Sequence, residues 1–402
     1  MKYNFDEHIN RYGTNCSKWD HADENFHGND LLPLWVADTD FRVPYEVVEA
    51  MQERLNHPIF GYTTPDDELY EVIIDKVKRH YNWDIKKEWI FFTNGVVSAC
   101  HIAVRSFVNI GDEVMIQNPV YYPFQRLIKA NGMHPVDNTL IRKDDKYYMD
   151  FGNMENLFKS TTGFGARTSR VKAAILCNPH NPVGRVWTKE ELKNYGDICV
   201  ENDAIIISDD IHCDLLLNEN EHTLIATLDK RFEDNSITII APSKTFNIAG
   251  LKGAVTIIPN QKLREDFALT QMAGYNSPNI LALEALKAAY KYGDDYIQEL
   301  NSYLEKNLDF LTNYINENIP EITVIEPEGT YLVWLDMRKL EMNSEQLAKF
   351  MVEEAKVATD FGHVFGTGGE GYQRLNIGCT KETLEKALDR LNNAITEWRS
   401  KN

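Results

Sequence analysis

An α/β fold built on a mainly parallel sheet and joined to a smaller α+β unit is what this sequence predicts, on three observations. Between about residues 90 and 260, short β-rich runs ("EVMIQ", "VKAAIL", "AIIIS", "SITIIA", "AVTII") alternate with longer stretches of helical period such as "TKEELKNYGDICVEN". Continuous apolar strands separated by helices describe a parallel sheet covered on both faces. From about residue 280 the pattern changes to long amphipathic stretches, "SPNILALEALKAAYKYG" and "YIQELNSYLEKNLDFLTNYINENI", and then to short strands, "TYLVWLDM" and "QRLNIG". The length, 402 residues, also exceeds what one hydrophobic core normally organises, so two lobes with a pocket between them are expected.

Bulk properties narrow the function classes. Hydrophobic residues make up 43% and charged residues 26% of the chain, and no apolar run approaches the length of a membrane span. The formal charge of −19 argues against nucleic acid or an anionic membrane as partner, because both require a basic face. An anionic ligand would need local positive groups to overcome that background. The opening "MKYNFDEHIN" carries acidic residues and no apolar core, unlike a secretory signal, which leaves the cytoplasm as the expected compartment. Six cysteines (Cys16, Cys100, Cys177, Cys199, Cys213 and Cys379) form no CxxC pair and no zinc-like spacing with histidine; reduced thiols and no metal are expected.

In an open α/β sheet, ligands collect at the carboxyl ends of the strands, so the residues that close each strand are the candidates for a site. "FFTNGVVSACHIAV" is a strand, a glycine (Gly95) and a helix, whose free N–H groups form a ready anion site. Such a turn occurs in every α/β protein and gains weight only beside other phosphate ligands. "NPVYYPFQR" places Tyr121 and Tyr122 after "EVMIQ", where an aromatic can stack on a flat heteroaromatic ligand or fill the core. "VKAAILCNPHNPVGRVW" doubles the Asn-Pro dipeptide before a glycine; two prolines stiffen the turn and aim the Asn181 amide, although a purely structural turn into a helix near Thr188 explains the motif equally well.

"AIIISDDIHCDL" ends a buried strand in Asp209 and Asp210, followed by His212. For a lone pair of aspartates a solvated strand end or a metal site is the plain reading, but nothing at ligand spacing completes a cage. A carboxylate there can instead face a cationic ring nitrogen, each charge favouring the other. "APSKTFNIAGLKG" sets Lys244 where "SITII" gives way to a loop, and "GYQRLNIGC" places Arg374 before a short strand, where its planar fork could clamp a carboxylate or form a surface ion pair. The glycine-rich "FGTGGEG" at 365–371 lacks the strand, helix and downstream acid of a dinucleotide fingerprint and reads as a loop.

Taken in order, these pieces resemble the fold-type I, aspartate-aminotransferase-like family of pyridoxal phosphate (PLP) enzymes. "LPLWVADTDF" (32–41), "GYT" (61–63), "SDDIHCD", "SKTFNIAGL", "GTYLVWLD" and "RLNIGC" are similar to the MalY/PatB type of cystathionine β-lyase within it. The resemblance covers nearly the whole chain. It implies a PLP-binding large domain over 46–283, a small domain formed by 1–45 and 284–402, and a homodimer with active sites at the subunit interface.

By the same resemblance Lys244 is the amine that forms a Schiff base with the cofactor aldehyde, Asp209 pairs with the pyridinium nitrogen, Asn181 bonds the phenolic oxygen and Tyr121 stacks on the ring. Gly95, Val96 and Val97 offer N–H groups to the phosphate, Ser243 a hydroxyl, and Tyr62 reaches it from the partner subunit. Arg374 takes the substrate carboxylate; His212, Tyr331 and Trp35 line or support the site. Two positions depart from the family pattern: the serine three residues before the lysine is Ala241, and the arginine eight residues after it is Lys252, which supplies a point charge rather than a fork. The implied activity is β-elimination of L-cystathionine and related cysteine S-conjugates to pyruvate, ammonia and a thiol. An aminotransferase is the alternative, and a PLP-bound regulatory protein of MalY type, binding a transcription regulator, is the alternative from another class.

Overall fold

The computed structural model describes residues 2–159, 170–274 and 277–401. Its main sheet has seven strands: β1 (Ile90–Thr93), β2 (Glu113–Ile116), β3 (His134–Asp137), β4 (Val171–Cys177), β5 (Ile205–Asp209), β6 (Ser236–Ile240) and β7 (Ala254–Ile257). They lie in the spatial order β1-β7-β6-β5-β4-β2-β3. β7 runs antiparallel to both neighbours, and every other pairing is parallel. All five residues of β6 and all four of β7 are buried, as expected of a sheet covered on both faces, which is why these segments read as unbroken apolar runs rather than alternations. Register places Cys177 beside Asp209, and Asp209 beside Ile239, so three strands deliver their carboxyl ends to one place.

Helices on the two faces are specified locally. α1 (Tyr45–Asn56) and α2 (Asp67–Tyr81) precede the sheet. The side chain of Asp66 caps α2 by accepting from the Leu69 N–H; Asp67 and Glu68 fill its first turn and Lys78, Arg79 and His80 its last, in the sense that complements the helix dipole. α3 (Val96–Phe107) follows β1 directly and is buried along its apolar face by Val96, Ala99, Cys100 and Ala103. The helix expected near Thr188 runs Lys189–Glu201, with Thr188 and Glu191 forming a reciprocal capping box.

Beyond the sheet, α4 (Ile280–Tyr292) and the long α5 (Asp294–Asn318) lead into a second, antiparallel sheet. Its strands are β8 (Thr323–Ile325), β9 (Leu332–Asp336), β10 (Asp360–Phe361) and β11 (Tyr372–Asn376), ordered β8-β9-β11-β10, with α6 (Lys381–Lys401) closing the chain. The N-terminal segment belongs to this end of the molecule. Leu32–Pro33 pairs in parallel with Val357–Ala358, and Phe5, Leu34 and Phe41 share one apolar core with Leu300, Leu308 and Leu388. That pairing carries the stretch after Leu34 across the carboxyl ends of β5 and β6. Among the described residues no helix is long and apolar enough to cross a membrane.

Candidate active site

At the carboxyl ends of β4, β5 and β6 lies a cavity of about 310 Å³, lined by residues that include Gly95, Val96, Val97, Tyr121, Asn181, Asp209, His212, Ser243, Lys244 and Lys252. The strand ends read separately from the sequence therefore meet in one place. Volume and lining suit a small heteroaromatic ligand with a few fixed polar contacts.

One end is built for an anion. Gly95 caps α3 with φ +87°, a conformation that disfavours any side chain, and it lines the cavity together with Val96, Val97 and Ser98 of the first turn of α3. No acidic residue occupies the first turn of α3. Ser243 and Lys252 line the same cavity, so a helix N-terminus, a hydroxyl and an ammonium group face one space. Lys252 sits at φ +58° with no aspartate or glutamate paired to it among the described residues.

The floor holds a carboxylate. Asp209 is buried, and its Oδ1 accepts the Ile211 N–H at 3.1 Å. Burial drives its pKa up to about 7, partly offset by that N–H and by the Lys244 charge. The adjacent Asp210 turns away to His222, whose Nε2 lies 3.0 Å from Oδ1. The two adjacent carboxylates are thus separated, and Asp209, the one the family resemblance selects, is the one that lines the cavity. A buried carboxylate with no ion-pair partner among the described residues is what a protonated ring nitrogen would complete, so the residues present fit the phosphate and the ring of PLP. Tyr121 supplies an aromatic face, and its own hydroxyl is kept protonated by burial.

Opposite the carboxylate, Lys244 is enclosed, and burial lowers its amine to about 8, with Asp38 opposing and Arg374 reinforcing the shift. Its Nζ donates to the Ala37 carbonyl at 2.7 Å, an oxygen that also accepts from Tyr331 Oη at 3.0 Å. The ring of His212 packs edge-on to Tyr331 at 6.1 Å, and burial keeps the imidazole neutral. The Ala37 carbonyl escaped sequence reasoning because it is a backbone atom 207 residues from its donor; the run "WVADTDF" is the signal that could have pointed to it.

Arg374 is buried on β11 rather than exposed. Its Nη1 donates to Asn181 Oδ1 at 2.9 Å, its Nη2 to the Trp35 carbonyl at 3.0 Å and to Asp360, while Nε has no partner. Asn181 accepts from Arg374 through its oxygen and lines the cavity. Trp35 enters through its backbone; its indole packs on Phe26 and donates to the Lys18 carbonyl. Phe365 lies under the guanidinium at 4.9 Å, held there by the glycine-rich loop: Gly366 has φ +94° and a Cβ would meet the Asn118 side chain at 2.7 Å. Tyr62 is fully exposed and lies outside the cavity of its own chain.

Comparison with known proteins agrees with this geometry. The model of the family "Aminotransferase class I and II" matches residues 29–391. The chain is similar to the cystathionine beta-lyase PatB of Bacillus subtilis, 40% identical over 98% of this chain and 100% of PatB. Among solved structures it superposes on cystalysin from Treponema denticola, which contains a pyridoxal 5'-phosphate cofactor, with a TM-score of 0.94 and 37% identity over 99% of this chain and 100% of cystalysin. It also superposes on the PLP-bound C-S lyase from Staphylococcus hominis, with a TM-score of 0.90 and 33% identity over 98% of each chain. With a family model spanning nearly its whole length and full-length relatives above 30% identity, the chain belongs to the aminotransferase class I and II family.

Proposed function

We propose that this protein is a PLP-dependent carbon–sulfur β-lyase that cleaves L-cystathionine and related cysteine S-conjugates to pyruvate, ammonia and a thiol. The observation that carries the reading is the full-length similarity to the cystathionine beta-lyase PatB, joined to a cavity whose residue types match each part of the cofactor. When bound, PLP supplies an electron sink for the pair left behind when the substrate's Cα proton departs.

The chain's own residues do the rest. Arg374, steadied by Asn181 and Asp360, receives the substrate α-carboxylate and so fixes which Cα substituent faces Lys244. Lys244 accepts the Cα proton at Nζ; an amine lowered to about 8 is a base in a substantial fraction of molecules near neutrality. Asp209 holds a proton on the ring nitrogen, and once opposed by that cation it stays ionised. Tyr121 covers one ring face, and α3, Ser243 and Lys252 hold the phosphate. Expulsion of the thiolate at Cβ then gives the lyase outcome, whereas return of a proton to the cofactor carbon would give transamination.

Residues 46–283 form the unit that binds the cofactor, and 1–45 with 284–402 the unit that brings Arg374. A homodimer places Tyr62 of the partner subunit at the phosphate. All six cysteines are free, in keeping with a reducing cytoplasm. The deciding experiment incubates the purified holoenzyme with cystathionine and other S-conjugates in the absence of a keto acid. Catalytic release of pyruvate and thiol is expected; turnover only when a keto acid is added would replace the lyase by an aminotransferase.

A further inference from the structure

The segment carrying the Ala37 carbonyl is gripped from three directions. Asp38 N–H donates to the Val36 carbonyl at 2.8 Å, which folds the chain tightly about Ala37. The Asn376 amide nitrogen donates to the carbonyls on either side, those of Val36 and Asp38, each at 2.6 Å, and its oxygen accepts the Gly378 N–H at 2.7 Å. Every donor and acceptor of this wholly buried amide is used. Asn247, three residues after Lys244, donates to the Thr39 and Phe41 carbonyls, and Arg11 and Lys18 bind the carboxylates of Asp38 and Asp40.

Asn376 stands two residues after Arg374 on β11, so the two side chains share a face of the strand. The group that orients the substrate carboxylate and the group that sets Ala37 therefore move as one rigid piece. We propose that Asn376 is a positioning residue for proton transfer, fixing the carbonyl against which the Lys244 amine docks whenever it is not bonded to the cofactor. This rests on the reading of Lys244 as the base. Without the clamp the acceptor drifts, and the amine loses its alignment to the Cα–H that Arg374 presents. A misplacement of about 1 Å is enough to slow such a step by roughly a hundredfold.

The test uses the PLP-loaded enzyme with Asn376→Asp, which keeps shape but replaces the donor by an acceptor facing two carbonyls, and Asn376→Ser in case the aspartate prevents folding. With a cysteine S-conjugate as substrate, kcat should fall by about ten- to a hundredfold. KM should change little, the visible absorption of bound PLP should persist, and the isotope effect from deuterium at Cα should rise. In a Lys244→Ala background assisted by added methylamine, the same substitution should change the rate little, because a free amine does not need Ala37. An unchanged isotope effect, or an equal loss in the methylamine-assisted background, would overturn the proposal. Full activity of Lys244→Ala by itself would remove the base assignment beneath it, and that outcome is read before Asn376 is altered.

Discussion

Asp209 shows how a single residue couples cofactor and stability. In the ligand-free chain its carboxyl is pushed up to about 7 by burial, whereas in the unfolded chain it titrates near the ordinary value. Between about pH 4 and 7 the unfolded chain has released this proton and the folded chain retains it, so stability falls as pH rises through that window. Above it the folded apoprotein carries a penalty of roughly 4 kcal/mol from this group. Asp209→Asn should therefore raise the apoprotein's melting temperature at pH 8 and leave it unchanged at pH 4, while slowing turnover of the holoenzyme by orders of magnitude. Calorimetry at the two pH values checks the sign; a less stable variant at pH 8 would show that the carboxylate has a cationic partner without PLP. Arg374 combines two roles, since its buried pairing with Asp360 means that truncation removes two things at once. Arg374→Ala should raise KM by the worth of a charged hydrogen bond, about 1.5–3 kcal/mol. It should also cost roughly 3 kcal/mol of stability by leaving Asp360 buried and unpaired. Adding Asp360→Asn should restore the melting temperature and leave KM high, which separates the structural from the recognition role.

Among the elements, the start of α3, the turn after β6 and the turn before β7 each bring one kind of group to the end of the cavity proposed to hold the phosphate. Lys252 stands where the family pattern has an arginine. As an exposed point charge it should matter modestly: Lys252→Ala is expected to weaken PLP binding by about 1 kcal/mol, followed by absorbance titration of the apoprotein. A loss of several powers of ten would show that the helix terminus and Ser243 hold the phosphate less firmly than their placement implies. The elements themselves were legible because β4 to β7 are short, predominantly apolar runs set between segments of helical period. Strand ends pointed to Asp209, Asn181 and Lys244, since a polar residue that closes such a run has few places to go except the ligand crevice. What stayed hidden depends on side-chain direction or long-range contact. The turn of Asp210 toward His222 follows from side-chain direction, the burial of Arg374 from its register opposite Asp360, and the Ala37 carbonyl from a segment that only tertiary packing brings to Lys244.

In the molecule as a whole, large apolar side chains are left exposed along one stretch of chain. α1 and α4 flank a groove of about 1290 Å³ whose walls include Tyr45, Val48, Lys287, Lys291 and Tyr292, and the last turn of α1 and the segment after it expose Leu55, Ile59, Phe60 and Tyr62. A run of large apolar residues left in solvent marks a contact surface, and a closed two-fold dimer would cover it with the same run from a second copy. That geometry is the one in which Tyr62, fully exposed and remote from its own cavity, can serve the phosphate of the other chain. Complementation tests it directly. Lys244→Ala lacks the amine and Tyr62→Ala lacks the partner's contribution, so each homodimer should be impaired at limiting PLP. In a heterodimer one site takes Lys244 from one chain and Tyr62 from the other and is intact. If subunits mix at random, half the dimers are hybrids with one working site of two, so co-refolding equal amounts should restore about a quarter of wild-type activity. A mixture no more active than the average of its two parents would place Tyr62 outside the shared site, whatever the oligomeric state measured by light scattering.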